Sequence, residues 1–121
     1  MKLYESGENY LETILILKKQ NGQVRSIDIA NTMGFSKPSI SRAMNILKQA
    51  ELIEIDKKGF ITLTQTGQIK AEKVLERHII ITNFLTEHLG VNQETAEIDA
   101  CRIEHVISEE TFSKIKDHIK D

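Results

Sequence analysis

The sequence contains one cysteine, one proline and six glycines in 121 residues. One cysteine cannot form an internal disulfide, and a free thiol is usual in the reducing cytosol. The low proline and glycine content leaves little room for long disordered linkers. No apolar run approaches the roughly 18 residues that a membrane-spanning helix needs, and residues 1–5 lack the charged-then-apolar layout of a signal peptide. We therefore predict a cytoplasmic protein.

Charge is distributed unevenly along a chain of ordinary globular composition, 40% hydrophobic and 28% charged. Residues 1–63 carry nine Lys or Arg and seven Asp or Glu, whereas residues 64–121 carry seven and eleven. Halves of opposite sign suggest different partners. A basic patch on the first half would suffice for phosphate contact although the formal net charge of the chain is −2. We predict two domains, residues 1–63 and 64–121.

Two short helices in the first half have the spacing of a helix-turn-helix motif. A first, mainly buried helix is predicted over residues 5–20, followed by a short helix that Ser26 caps and a third that Ser36 caps. Pro38 is tolerated in the first turn of that third helix, where amide hydrogens have no partner. The connection at residues 34–37 has the length expected between the two helices of this motif.

The third helix has one face suited to DNA, and a predicted hairpin follows it. A slim helix with exposed hydrogen-bonding side chains can enter the major groove. The β-prone runs 52–55 and 60–63 flank a basic loop, so the hairpin is a wing whose tip could reach a phosphate or a minor groove. An alternative is a winged helix used for protein contacts. The candidate DNA-binding residues are Arg25, Ser26, Ser36, Lys37, Pro38, Ser39, Ser41, Arg42, Asn45, Lys57 and Lys58.

The second half is predicted to contain three helices, and one carries a set of metal-binding side chains. Because a helix advances about 100° per residue, Cys101, Glu104 and His105 share a face, with Glu97 one turn earlier. A thiol, a carboxylate and an imidazole are donors for transition metals, and they interrupt an otherwise apolar face. In the alternative interpretation Cys101 is a small core residue and Glu104 pairs with His105 without an ion.

A single helix supplies only one side of a metal site, so other ligands must come from elsewhere. His78, in the middle of the long helix predicted over residues 64–89, is a candidate on a second helix. Asn9 and Glu12, three residues apart on the first helix, could supply oxygen ligands.

The chain resembles the diphtheria toxin repressor family of metal-dependent transcriptional regulators, which includes iron-dependent repressors and the manganese transport regulator. The resemblance extends over about residues 8–119, and the segment 100–105 is its most specific part. Iron-type members have Cys, Glu and His at this spacing, whereas manganese-type members have Glu where Cys101 stands. The segments that carry the resemblance are residues 8–14, 36–41, 63–67, 77–78 and 100–105.

The resemblance implies a mainly α fold, with an N-terminal winged helix-turn-helix domain followed by an all-helical dimerisation domain. It also implies a homodimeric, metal-activated repressor of metal-uptake genes that binds a double-stranded DNA operator. The chain shows no SH3-like domain, so it resembles the two-domain layout of manganese-type members. An ion that joins the helix of Glu12 to the dimerisation helices would fix the recognition helices, and metal and DNA would then strengthen each other's binding.

Carried over by position, the resemblance implies a set of metal ligands divided between two neighbouring sites. Two positions depart from the family pattern: Asn9 stands where iron-type members have Met and manganese-type members Asp, and Thr82 replaces an acidic ligand of the iron type. Glu97 lies near the position of another second-site ligand. The candidate metal ligands are Asn9, Glu12, His78, Glu97, Cys101, Glu104 and His105.

The donor set favours Fe²⁺ over Mn²⁺, because a thiolate such as that of Cys101 prefers softer ions. The departures at Asn9 and Thr82 keep open a second interpretation, a metal-independent winged-helix regulator with a degenerate metal site. A third is a small metalloenzyme with Glu104 as general base. The sequence shows no glycine-rich phosphate loop or nucleophile motif, and we predict that the protein is not an enzyme.

Overall fold

A computed structural model describes residues 5–120, with side chains from residue 7 onward. Residues 1–4, on which the signal-peptide prediction depends, lie outside this range, as does Asp121. The predicted order of three helices, a hairpin and three helices is confirmed. No described helix is both long enough and apolar enough to cross a bilayer. The elements are α1 (Glu5–Asn21), α2 (Ser26–Met33), α3 (Lys37–Gln49), β1 (Ile53–Ile55), β2 (Ile61–Leu63), α4 (Gln65–Asn83), a π-helical segment (Phe84–His88), α5 (Gln93–Ile103) and α6 (Glu109–Lys120).

The described chain divides into two compact units, the first ending at Glu72 and the second beginning at Lys73. This division falls within α4, whereas the predicted domain boundary after residue 63 precedes that helix. The boundary at residue 63 therefore stays a prediction.

The core of the first unit is formed by apolar side chains from its first three helices and both strands. Within this unit α2 packs on α1 and α3, and the hairpin packs on α1 and α3. Burial at helical spacing on α3 confirms the apolar face predicted for that helix. The apolar side chains of this unit with at most 2% exposure are Leu11, Ile14, Leu15, Val24, Ile29, Ile40, Met44, Leu47, Ile53, Ile61 and, on α4, Ala71.

The two helices of the helix-turn-helix begin differently. Ser36 caps α3 as predicted, because its Oγ accepts a hydrogen bond from the Ser39 amide at 3.3 Å. The prediction that Ser26 caps α2 is wrong. Arg25 occupies that position and donates its amide hydrogen to the Asp28 carboxylate at 2.9 Å. A carboxylate in the first turn satisfies an amide that the helix leaves without a partner.

The wing is a two-stranded antiparallel hairpin that pairs Ile53 with Leu63. Its loop is held by Asp56, whose Oδ1 accepts hydrogen bonds from the amides of Lys58 and Phe60, each at 2.9 Å. Gly59 adopts a φ of 87°, which favours glycine. These contacts fix the loop that carries the basic tip.

Thr64 joins the start of α4 to the turn that follows α3. Its hydroxyl donates to the carbonyl of Glu51 at 2.7 Å and accepts from the amide of Gly67 at 3.1 Å. A Cβ built on Gly67 would overlap the carbonyl oxygen of Leu52. Glycine is therefore needed here for a close approach of two backbones, within the first unit.

The second unit packs the end of α4 against α5 and α6 around Ile81, Ala100 and Phe112. The single helix predicted to reach about residue 89 is α-helical only to Asn83 and continues as the π-helical segment. Asn92 caps α5 by accepting hydrogen bonds from the amides of Glu94 and Thr95. The connection between α5 and α6 carries two of the candidate metal ligands, Glu104 and His105.

Candidate metal centre and nucleic-acid interface

Cys101, Glu104 and His105 lie together around the end of α5. The prediction of one helix running through all three is wrong, because α5 ends at Ile103 and the other two residues follow it. Glu104 still has helical φ and ψ of −58° and −26°, so the side chains keep nearly the direction that a helix would give them. One donor atom from each of the three side chains lies within 4.8 Å of the others.

The carboxylate of Glu104 lies between two histidine nitrogens. Its Oε2 is 3.3 Å from Nδ1 of His78, on α4, and its Oε1 is 3.3 Å from Nε2 of His105. The Glu104 side chain is fully buried, and neither of its oxygens accepts a hydrogen bond from the part of the chain that the structure describes. Burying a carboxylate is costly unless a partner stabilises its charge, so this site favours a cation.

These residues fit a divalent transition metal. Zn²⁺, for example, binds sulfur, nitrogen and oxygen ligands at about 2.0–2.3 Å in a tetrahedron, so donor atoms that share the ion lie about 3.3–3.8 Å apart. The 3.3 Å separations between Glu104 and the two histidine nitrogens match this spacing. Thiolate, carboxylate and imidazole are the donor types that such ions select.

Three further predicted ligands lie on α1 and α5. Asn9 and Glu12 lie on α1 in the first unit, where Glu12 is only 6% exposed. Glu97 is exposed on α5 and accepts a hydrogen bond from Gln93 at 3.2 Å, so it does not belong to the cluster around Cys101. Thr82, the departure on α4, is buried.

His88 and His118, which were not predicted as ligands, are exposed and lie near the ends of their helices. Their ring centroids are 5.0 Å apart, and both rings pack against Phe84. They are not members of the cluster formed by Cys101, Glu104 and His105.

Arg77 is a residue of this region that the sequence did not assign to the site. It precedes His78 on α4, and its guanidinium donates to the backbone carbonyls of Glu104 and Ile107. The only sequence feature that pointed to Arg77 was its place beside His78, in a segment that carries the family resemblance. Contacts between residues about 30 positions apart leave no periodic pattern in the sequence.

The predicted nucleic-acid interface has its polar side chains on the outer face of α3. Ser36, at the N-cap, is hydrogen-bonded to the hydroxyl of Ser39 at 2.9 Å, and Arg42 donates to Ser39 at 3.4 Å. This network orients Arg42 along the first turns of the helix. The exposed members of the predicted set on this helix are Lys37, Pro38, Ser41, Arg42 and Asn45.

An open groove lies between α3, the start of α2 and the hairpin. Lys48, which the sequence did not single out, lines it together with Asp56 of the hairpin. Arg25 pairs with Phe60 beside the hairpin, and its guanidinium lies 4.3 Å from the centroid of that ring. Lys57 and Lys58 are exposed in the hairpin loop. The residues of the predicted set that line the groove are Ser26, Ser41, Arg42 and Asn45.

Comparison with protein families matches nearly the whole chain. The family model described as the N-terminal DNA binding domain of iron dependent repressors matches residues 2–60. The model described as their metal binding and dimerisation domain matches residues 64–121.

Individual relatives are consistent with both matches. Transcriptional regulator MntR of Escherichia coli is 36% identical over 109 residues, which cover 90% of this chain and 70% of the relative. Diphtheria toxin repressor of Corynebacterium diphtheriae is 27% identical over 98% of this chain and 53% of its own length. The solved structure of the manganese regulator SloR is 27% identical and superposes with a TM-score of 0.83, over 99% of this chain and 55% of that chain. The chain thus spans about half the length of the first solved structures that it matches.

Proposed function

The chain belongs to the family of iron-dependent repressors, and we propose that it is a homodimeric repressor of metal-uptake genes, activated by a divalent transition metal. The family consists of transcriptional regulators rather than enzymes, which disfavours the metalloenzyme interpretation. We further propose that it acts in the cytoplasm, with residues 1–63 as its DNA-binding domain and residues 64–121 as its dimerisation and metal-binding domain.

The observation that carries the metal dependence is the environment of Glu104. A fully buried carboxylate faces a histidine nitrogen with each oxygen and accepts no hydrogen bond within the described residues. A neutral core would not favour a carboxylate in this position. A divalent cation would supply the missing charge and would be held by donors that are already close to one another.

We propose that Cys101, Glu104 and His105 are ligands of one ion. Because the other oxygen of Glu104 faces His78, the same carboxylate could also serve a second, neighbouring ion, as the family resemblance implies. Glu12 is proposed as a further ligand on that resemblance. Ligand roles for Asn9 and Glu97 stay predictions, and the exposure of Glu97 does not favour one.

We propose Fe²⁺ in preference to Mn²⁺, because the thiolate of Cys101 is a softer ligand than a carboxylate. The family is described as iron dependent, but relatives of this chain include manganese regulators. SloR is described as a manganese regulator, and ScaR, 28% identical to this chain, has been solved with bound Zn²⁺ and with bound Cd²⁺. The choice between Fe²⁺ and Mn²⁺ therefore needs direct measurement.

For DNA binding we propose that α3 enters the major groove and that the hairpin contacts the backbone. Exposed Arg42 and Asn45 can reach base edges, while Ser36 and the helix N-terminus suit a phosphate. The exposed cations of the hairpin loop would add phosphate contacts. If metal favours the DNA-competent arrangement of the dimer, DNA must favour metal binding by the same factor.

Two linked measurements test this function. Chelator-treated protein is titrated anaerobically with Fe²⁺ and with Mn²⁺ while heat and thermal stability are followed. Duplexes are then selected from a random DNA library with and without the preferred ion. We expect saturable metal binding that raises the melting temperature, and a duplex sequence that is retained only with metal.

A variant that carries Glu104→Ala and His105→Ala together tests the proposed ligands. We expect it to remain a folded dimer that has lost metal-dependent DNA binding. Sequence-specific DNA binding that is equally strong with chelator and with metal would instead support the metal-independent regulator with a degenerate site.

A further inference from the structure

The turn between α5 and α6 carries two candidate ligands but has little regular structure of its own. Glu104 and His105 lie in it, beyond the last residue of α5. The last carbonyl groups of a helix have no partner within the helix. Here the Ile103 carbonyl accepts hydrogen bonds from the amides of Val106 and Ile107, and the carbonyls of Glu104 and Ile107 accept hydrogen bonds from outside the turn.

Arg77 supplies those bonds from α4. Its Nη1 donates to the carbonyl of Glu104 at 3.1 Å and to the carbonyl of Ile107 at 3.3 Å. Its Nη2 contacts Oε2 of Glu109, the first residue of α6, at 2.7 Å. The guanidinium carbon also lies 5.4 Å from the centroid of the Phe112 ring. One side chain therefore holds both ends of the turn.

The same part of α4 also faces the Glu104 carboxylate. His78 follows Arg77 directly, and its Nδ1 lies 3.3 Å from Oε2 of Glu104. Arg77 thus binds the backbone carbonyl of Glu104, and His78, the next residue of α4, faces its carboxylate. A rigid helix that makes both contacts fixes where the carboxylate points.

We propose that Arg77 is a positioning residue of the metal site, which fixes the turn so that Glu104 and His105 are arranged for an ion before it binds. This inference rests on the proposed function. The planar guanidinium donates along several fixed directions, whereas a lysine ammonium cannot span two carbonyls and a carboxylate in the same way.

The sign of the effect separates positioning from simple electrostatics. A positive charge near a cation site repels the ion, so its removal alone would strengthen metal binding. Loss of positioning weakens it, and removal of groups that orient metal ligands typically costs about 10- to 100-fold in affinity. Replacement of Arg77 therefore gives opposite results under the two explanations.

The test compares wild-type protein with Arg77→Ala and Arg77→Lys, with Fe²⁺ and Mn²⁺ for affinity and Co²⁺ as a spectroscopic probe. We expect both variants to bind these ions about 10- to 100-fold more weakly and to show altered Co²⁺ ligand-field bands. The melting temperature of the metal-free proteins measures any purely structural effect. Glu109→Gln removes the charge of one partner of Arg77 at an exposed position and so weakens that contact, and we expect a smaller loss of affinity in the same direction.

The matched control is Glu76→Ala. Glu76 precedes Arg77 and forms an ion pair at 3.3 Å with Lys116, which also joins α4 to α6 without touching the turn. We expect wild-type metal affinity for this control. Wild-type or tighter binding by Arg77→Ala, or full recovery by Arg77→Lys, would overturn the positioning role. If Arg77→Ala does not fold, Arg77→Lys decides the question, because it keeps the positive charge and removes the planar donor. Absence of metal binding by the wild-type protein would overturn both proposals.

Discussion

Nδ1 of His78 lies 3.3 Å from Oε2 of Glu104, although 26 positions of sequence separate the two residues. The contact joins α4 to the turn after α5. On its other side, the carboxylate of Glu104 faces His105 at the same distance. A fully buried acid between two imidazoles makes the metal-free protein less stable than the same fold with a cation at this point.

Glu104→Gln should therefore change the free energy of unfolding in opposite directions with and without metal. In chelator the uncharged amide is cheaper to bury than a carboxylate, so we expect the free energy of unfolding to stay equal or to rise. Wild-type protein should gain about 2.7 kcal/mol at a free metal concentration 100 times Kd, and the variant should lose this gain. Urea denaturation with chelator and with metal measures both effects.

Glu94→Gln is the control for Glu104→Gln, because Glu94 is an exposed acid in the first turn of α5, the helix that precedes Glu104. It should keep the full stabilisation by metal. A Glu104→Gln protein that is stabilised as strongly as wild type would show that this carboxylate is not a ligand.

Cys101→Glu should change which metal the protein prefers. A carboxylate in place of the thiolate makes the site richer in oxygen, which suits Mn²⁺ better than Fe²⁺. We expect the ratio of Mn²⁺ to Fe²⁺ affinities to rise by about tenfold, or about 1.4 kcal/mol. Anaerobic competition titrations measure the ratio, and Cys101→Ser, a neutral ligand, should bind both ions more weakly. An unchanged ratio in Cys101→Glu would remove Cys101 from the ligand set.

Local sequence signals predicted most of the element order and the proximity of three side chains at the end of α5. Ser36 and Thr64 each accept a hydrogen bond from an amide three residues later, and such caps depend only on neighbouring residues. The cluster of Cys101, Glu104 and His105 could also be predicted from sequence. The helix α5 ends two residues before His105, but the three residues are so close in sequence that their side chains still lie together.

The features that sequence reasoning missed depend on contacts between distant residues or on competition between neighbours. Ser26 is a good capping residue, but the Asp28 carboxylate accepts a hydrogen bond from the amide of Arg25. The N-cap of α2 is therefore Arg25, one position earlier than predicted. Arg77 acts across more than 25 positions, on carbonyl groups that carry no sequence information. The need for glycine at position 67 arises from the nearby backbone of Leu52, a contact that the local sequence does not reveal.

Gly67→Ala should destabilise the first unit. The added methyl group would overlap the carbonyl of Leu52, and relief requires that α4 and the turn before β1 move apart. Overpacking of this kind typically costs about 1–3 kcal/mol, measurable as a lower midpoint of urea denaturation. Thr66→Ala, at the exposed neighbouring position, is the control and should change stability by less than about 0.5 kcal/mol. Equal stability of the two variants would contradict the close approach.

Ile98→Glu should weaken the dimer. Ile98, Leu89 and Val106 are at least 52% exposed in the second unit, and the family model for this part of the chain includes dimerisation. Burial of an isoleucine side chain stabilises by about 1.5–3 kcal/mol, and a symmetric dimer would bury two copies. Size-exclusion chromatography with light scattering at decreasing concentration should show earlier dissociation than for wild type. Ile46→Glu, at an exposed isoleucine on α3, is the control and should dissociate like wild type. If Ile98→Glu also dissociates like wild type, Ile98 lies outside the interface.

Lys57→Ala combined with Lys58→Ala should reduce the salt dependence of DNA binding. Both lysines are exposed in the hairpin loop that Asp56 holds in shape, so their loss removes charge without removing the loop. Each lost phosphate contact lowers the slope of log affinity against log salt by about 0.9, so we expect a decrease between about 0.9 and 1.8. The probe is a random-sequence duplex, titrated at several salt concentrations with the preferred metal. Lys18→Ala with Lys19→Ala, on α1, makes the same change in net charge. If that control lowers the slope as much as the hairpin variant does, the effect comes from total charge, and the hairpin is not a phosphate-binding wing.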